Sequence, residues 1–336
     1  MSRIAVIGAG SWGTALAISL GRRGGHTLSL WAHSPAHADE LRSSRENSRY
    51  LPGFNLSPEI RIANDLADAI CPLNGEAADT VLCVTPSQAL RSILQQIAPV
   101  LQPHQVLLSA SKGVEEHTHL RMSEIFAEYA PNNPVGTLGG PSFALETAQA
   151  KPTAITIATH DTLLGERLQS DFTSASLRVY RNEDVPGTEL GGALKNVIAL
   201  AAGVVTGLEL GNNATAALIT RGIAEMTRLA VACGGRAETL SGLAGVGDLV
   251  LTCTGGLSRN RTVGVELGKG RKLDEIIASL NGKVAEGVRT TTAALGLAQR
   301  HGVEMPITEQ MALVLHEDKS PRDAIHDLMT RPGRTE

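Results

Sequence analysis

Lys195 stands inside "LGGALKNVIALAAGVV", Leu190 to Val205, where nearly every other side chain is aliphatic. An ammonium in such a segment must find a counter-charge or lose its proton, and a lysine tuned by burial can exchange a proton near neutral pH. Three further clusters could work with it. "GLAGVGDLVLTC" sets Asp248 behind Gly242, Gly245 and Gly247. "GGLSRNR" carries Ser258, Arg259 and Asn260 after two glycines, a fork of donors suited to a phosphate or carboxylate. "SKG" leaves Lys112 just past an apolar strand signal, at the edge where open α/β sheets bind ligands. Each has an ordinary structural alternative: a snorkelling lysine, a helix N-cap at Asp248, an exposed arginine pair. Together they supply two ammoniums, a guanidinium and one carboxylate, the set an anionic carbonyl substrate would need.

The elements that must position these groups fall into two grammars. Up to about Asp184, short β-branched runs alternate with helical stretches: Ile4–Ile7, Thr27–Trp31, Thr80–Val84, Val106–Ser109, Val135–Leu138, Thr153–Ala158 and Leu177–Tyr180. This is βαβ punctuation and predicts an α/β fold, a Rossmann-type, mostly parallel sheet with helices on both faces. After "EDVPG" the strand signals stop, and Ala/Leu/Gly-rich stretches predict an all-α second domain. The expected division is 1–186 for dinucleotide binding and 187–330 for substrate binding. Leu190, Ala193, Leu194, Val197, Ile198, Ala201, Ala202 and Val205 keep helical spacing around Lys195, and past Asn196 no solvated face remains.

The first strand runs into "GAGSWG", with Gly8, Gly10 and Gly13 in GxGxxG spacing, and then into a helical run. Gly8 permits the tight turn, Gly10 lets backbone amides approach a pyrophosphate, and Gly13 lets the helix pack on the strand. The second strand ends "LSLWAHS" with no Asp or Glu to accept from an adenosine ribose hydroxyl; His33 and Ser34 could instead meet a 2′-phosphate. This favours NADP, with NAD also open.

The remaining composition narrows the classes. Thirty basic and thirty-four acidic residues give a net charge of −4 without a Lys/Arg run, so no electrostatic footprint for nucleic acid or membrane is present. Small-molecule partners are expected. Cys71, Cys83, Cys233 and Cys253 form no CxxC pair, which suits reduced thiols. The N-terminus enters a strand directly and no stretch is expected to span a membrane, so a soluble cytoplasmic protein is predicted. His117 and His119 make only an HxH pair in a polar stretch, so no metal is expected, and GxSxG and GxxxxGK[ST] are absent.

In order and spacing, "GAGSWGTALA", "SKG", "GGPSFA", "ELGGALKNVIA", "GLAGVGDLVLTCTGGLSRNRTVG" and "AEGVRT" resemble the bacterial type of NAD(P)-dependent glycerol-3-phosphate dehydrogenase. The resemblance runs to about "MPITEQM". It implies reduction of dihydroxyacetone phosphate to sn-glycerol 3-phosphate for phospholipid head groups, in a cytoplasmic, commonly dimeric enzyme. It places cofactor contacts at Ser11, Trp12, His33, Lys112, Ala144, Arg259, Val284 and Glu286, with Ser34 where the family often has arginine, and Tyr50 flanking the nucleotide. It places substrate contacts at Lys112, Gly140, Ser142, Lys195, Asp248, Ser258, Arg259 and Asn260. Lys195, Lys112 and Asp248 form the implied catalytic group. Two alternatives stay open on the residues: a β-hydroxyacid or phosphogluconate-type dehydrogenase, whose asparagine usually follows the lysine by four residues, and a non-catalytic NADP-binding sensor.

Overall fold

The alternating first half forms one eight-stranded sheet in a computed structural model that describes residues 1–71, 77–279 and 285–333. In chain order the strands are β1 (Ser2–Ile7), β2 (His26–Trp31), β3 (Glu46–Asn47), β4 (Leu51–Asn55), β5 (Arg61–Ala63), β6 (Thr80–Cys83), β7 (Val106–Ser109), β8 (Val135–Gly139), β9 (Thr153–Ala158) and β10 (Leu177–Asn182). The sheet order is β10-β9-β8-β7-β6-β1-β2-β5, parallel throughout except that β8 runs antiparallel to β9. β3 and β4 form a separate antiparallel ribbon. All seven strands expected from the sequence are present. β3, β4 and β5 gave no signal because two are very short and β4, "LPGFN", carries proline and glycine.

Every residue of β6 and β7 is buried, since helices cover both faces; such strands read as unbroken apolar runs instead of alternating ones. One face packs Leu16, Leu20, Leu30, Leu82 and Phe172, the other Ile7, Val81, Leu94 and Phe126. Chain order reverses at β1, which lies between β2 and β6, so the crevice beyond the carboxyl ends of β1 and β6 is a topological switch point.

The second half is built around one helix, Val185–Gly207. Its start is set by Asp184, whose carboxylate accepts from the Gly187 amide at 2.8 Å and the Arg236 amide at 2.8 Å, and by a proline in the first turn. The helices Gly211–Ala232, Asp248–Thr254, Arg259–Gly268 and Glu286–His301 pack around it. By length and composition it could cross a membrane, contrary to the sequence expectation, with a mean hydropathy of 1.4 over its most apolar window; yet 89% of that window is buried inside the protein. Its apolarity is that of a core helix enclosed on all sides.

The crossing with Arg259–Gly268 depends on glycines in both helices. A Cβ on Gly203 would lie 2.2 Å from the Arg261 carbonyl oxygen, and one on Gly264 would lie 2.0 Å from that of Leu200. The backbones touch, and this sets the distance from Lys195 to the start of the second helix, where Arg259 stands. Gly264→Ala should therefore force the helices apart at a cost of about 1–3 kcal/mol. Thermal denaturation should show a melting point lower by several degrees, and an unchanged Tm would contradict the contact.

Candidate active site

The glycine turn has the geometry its spacing predicts. Gly8 sits at φ +125°, and a Cβ there would lie 2.4 Å from the Val84 carbonyl oxygen. A Cβ on Gly13 would meet the Gly8 carbonyl oxygen at 1.9 Å, so helix Ser11–Arg23 can close on β1 only with glycine here. Beside Gly10 there is open space within 4 Å, no side chain caps the helix, and its first turn holds no acidic residue. Free amides and positive helix potential thus face the switch-point crevice, which fits a dinucleotide pyrophosphate. The Trp12 indole N–H is buried without a partner at the same turn.

Asn47, from the ribbon no sequence signal found, braces this loop from behind. Its amide donates to the Ala9 carbonyl at 2.9 Å and the Thr14 hydroxyl at 2.7 Å, while its Oδ1 meets His37 at 3.1 Å and accepts from the Tyr50 amide at 3.2 Å. Ser11 Oγ donates to the Tyr50 carbonyl at 2.7 Å, bringing Tyr50 to the turn. His33 and Ser34 are exposed just past β2, where Ser34 precedes helix Pro35–Ser44. Ala144 packs, like Trp12, against the core of this half.

Along the same carboxyl edge, the loops after β7 and β8 deliver Lys112, Gly140 and Ser142. Lys112 Nζ donates to the Gly140 carbonyl at 3.0 Å, to Ser142 Oγ at 3.4 Å and to Asp248 Oδ2 at 2.8 Å. Its stem lies over Gly192, whose absent Cβ would be 3.6 Å from Lys112 Cγ. Lys195 Nζ holds the other carboxylate oxygen of Asp248 and donates to Thr252 Oγ1 at 3.1 Å. Asp248 is 1% exposed and Lys195 6%, so both charges have left water. Asp248 is no N-cap: it follows the wide turn Leu243–Gly247 and gives both oxygens to ammoniums.

Burial lowers the Lys195 pKa most; Asp248 pulls it up and Lys112 pushes it down, leaving it at about 7. For Asp248, burial alone would raise the pKa, but the two ammoniums outweigh it and hold the carboxyl below its usual range. The group stays ionised while its neighbour titrates.

Ser258 caps helix Arg259–Gly268 by accepting from the Arg261 amide at 3.2 Å. Arg259 is exposed at the first turn, with Glu286 as the opposite charge acting on it. Asn260 is buried: its amide donates to Asn196 Oδ1 at 2.9 Å, and its carbonyl oxygen accepts from the Gly287 amide at 3.0 Å. Asn196 in turn donates to the Lys112 carbonyl at 3.3 Å, which is why the asparagine directly follows the lysine. Val284 lies outside the described residues. Thr252 escaped the sequence reading, although its place four residues after Asp248 in "DLVLT" puts both on one helix face. His117 is exposed as expected, but His119 packs against the helix Glu286–His301 at Gly296. Among the described residues no cluster could hold a metal.

A phosphate-admitting turn at the switch point of a parallel sheet, sharing its edge with a buried, proton-exchanging ammonium, defines a nicotinamide-dependent dehydrogenase. Residues 3–164 match the family described as NAD-dependent glycerol-3-phosphate dehydrogenase N-terminus, and residues 184–326 its C-terminus. The chain belongs to the NAD-dependent glycerol-3-phosphate dehydrogenase family. It is 56% identical to the glycerol-3-phosphate dehydrogenase [NAD(P)+] of Koribacter versatilis, covering 100% of this chain and 99% of that protein. The enzyme of the same name from Acidobacterium capsulatum is 57% identical, with 100% of each covered. The crystal structure of glycerol-3-phosphate dehydrogenase from Coxiella burnetii superposes with a TM-score of 0.93 at 39% identity, covering 98% of this chain and 99% of that one. Membership in this family replaces the hydroxyacid-dehydrogenase and sensor alternatives.

Burial brings the pKa of the Lys195 amine down to about 7, with Asp248 pulling it up and Lys112 pushing it down. Competitive labelling of lysines should find one amine titrating near 7, and Asp248→Asn should lower that value further by removing the charge that raises it. A Lys195 titrating near 10, the ordinary lysine range, would contradict the burial described.

Proposed function

We propose that this chain reduces dihydroxyacetone phosphate to sn-glycerol 3-phosphate with NAD(P)H, supplying glycerophospholipid synthesis. The observation that carries the reading is Lys195: an enclosed ammonium with a pKa brought to about 7, at the ligand-binding edge of the sheet. A nicotinamide held in the switch-point crevice would supply a hydride for the substrate C2. Lys195 donates its proton to the oxygen as negative charge develops there, and the neutral amine takes a proton back in the reverse direction. Lys112 keeps positive charge beside the reacting oxygen and, with Gly140 and Ser142, lines the substrate side. Asp248 fixes both ammoniums.

Arg259 donates no hydrogen bond to the described residues, so its fork is open to the substrate phosphate. Ser258 supports it by starting the helix there, and the second proton of the Asn260 amide is free to join. Holding the phosphate fixes C2 against the nicotinamide. Gly8, Gly10, Ser11, Trp12 and Gly13 would hold the pyrophosphate side of the cofactor, Tyr50 and Ala144 would flank the nucleotide, and Glu286 and Arg259 would contact it from the helical half. His33 and Ser34 stand where a 2′-phosphate would lie, which supports NADP over NAD.

Residues 1–186 form the dinucleotide-binding domain in this reading and 187–330 the substrate domain, consistent with the last strand ending at Asn182 and the central helix starting at Val185. The proposed assembly is a cytoplasmic homodimer. Four free cysteines suit a reducing compartment, and Leu210 and Val231, 41% and 48% exposed, offer apolar contacts at the ends of helix Gly211–Ala232. A mass of a single chain by light scattering would exclude the dimer.

Oxidation rates of NADPH and NADH with dihydroxyacetone phosphate test the whole assignment, and no turnover with either would refute it. In that assay Lys195→Ala should lower kcat by at least about 100-fold. The wild-type reduction rate should fall as pH rises through about 7, where Lys195 loses its proton, and the reverse reaction should gain over the same range. Turnover near wild type would remove Lys195 from the chemistry. Arg259→Ala should chiefly raise KM for dihydroxyacetone phosphate; an unchanged KM would place the phosphate elsewhere.

A further inference from the structure

One buried contact joins the two halves at the cofactor crevice without involving any group used so far as acid, base or phosphate holder. Ser87 lies in the loop after β6 and is fully buried. Its Oγ donates to Glu286 Oε2 at 2.8 Å, across 199 positions of sequence, and its backbone N–H donates to the same side chain. Glu286 is the first residue of helix Glu286–His301, and no side chain caps that helix. Among the described residues its carboxylate takes no hydrogen bond from its own helix, although Arg289 there acts on it through charge.

The Ser87 hydroxyl is itself oriented. It accepts from Gln88 Nε2 at 3.2 Å, while the same Gln88 amide donates to the Val114 carbonyl at 2.8 Å and its Oε1 accepts from the Glu116 amide at 2.9 Å. Gly113, next to Lys112, leaves the space in which the bridge forms. A Cβ there would lie 2.4 Å from Ser87 Oγ, 2.7 Å from Ser87 Cβ and 3.1 Å from Glu286 Oε2. The glycine that ends "SKG" therefore has a purpose beyond freeing Lys112: any side chain there would wedge the two halves apart at this point.

We propose that Ser87 is a positioning residue for cofactor binding: its hydroxyl and amide hold the Glu286 carboxylate at the nucleotide crevice, in the room Gly113 leaves. The inference rests on the reading of Glu286 as a cofactor contact. Glu286 carries a rotamer-rich side chain, and fixing it beforehand removes an ordering cost from nucleotide binding. The Arg259 and Arg289 guanidiniums act on the same carboxylate, so a Glu286 released from Ser87 has competing places to go.

A double-mutant cycle in the full-length protein tests this, read by calorimetric titration of the free enzyme with NADPH and separately by kcat. Ser87→Ala should weaken NADPH binding about tenfold, the loss of one hydrogen bond to a charged group, while kcat at saturation stays within about twofold and the melting point holds. Against Glu286→Ala, Ser87→Ala should add no further loss, because there is no carboxylate left to place. Gly113→Ala should weaken NADPH binding in the same way. An unchanged Kd in Ser87→Ala, or an equal loss in both backgrounds, would overturn the inference. An unchanged Kd in Glu286→Ala would instead remove Glu286 from the cofactor site, and with it the reading beneath.

Discussion

A single carboxylate shared by two ammoniums organises this protein. Asp248 accepts from Lys195 with one oxygen and from Lys112 with the other, and the two ammoniums are what keep this buried carboxyl ionised. An isolated carboxylate 1% exposed would cost several kcal/mol to keep ionised. Lys112 arrives from the loop after β7 and Lys195 from the central helix, so the same contact that sets proton affinities also sews the sheet half to the helical half. Removing the acid would take away the one charge that raises the proton affinity of Lys195 and the contact that joins the two halves, which ties acidity and domain arrangement to one residue.

Around that centre the backbone does the measuring. Glycine contacts between Val185–Gly207 and Arg259–Gly268 fix how far Arg259 stands from the Lys195 amine. At the other end, Gly8 and Gly13 fix how closely the first helix approaches β1. Bulky side chains at these points would be tolerated by composition and forbidden by distance. The buried asparagines add a second system: Asn260, Asn196 and the Lys112 carbonyl form a chain of bonds from the arginine loop to the lysine loop.

Much of this was legible in the sequence, for identifiable reasons. The seven expected strands announced themselves because strands covered on both faces are dense in β-branched and other apolar residues. Lys195 was visible because a charge in an aliphatic segment contradicts its surroundings, and the glycine turn because strand, glycines and helix agree with one another. What stayed hidden depends on partners distant in sequence. Asn47 and Ser87 are ordinary polar residues in short or irregular segments, and only folding brings them to the glycine loop or to Glu286. Asp248 was readable as an N-cap, since an aspartate opening an apolar helix looks the same whether its oxygens meet amides or ammoniums. The central helix looked too short to be of membrane length only because its first turn, with proline and glycine, resembles a boundary.

The placement of the reactive amine in the middle of the most apolar helix makes its acidity a gauge of how dry the interior is. Water admitted anywhere along that helix would restore solvation to the ammonium and move its proton affinity back toward that of a free lysine. Substitutions that loosen distant packing should thus be felt first as a shifted pH profile, before any loss of folded protein. The proton affinity of the amine and the tightness of the interior are therefore set by the same side chains.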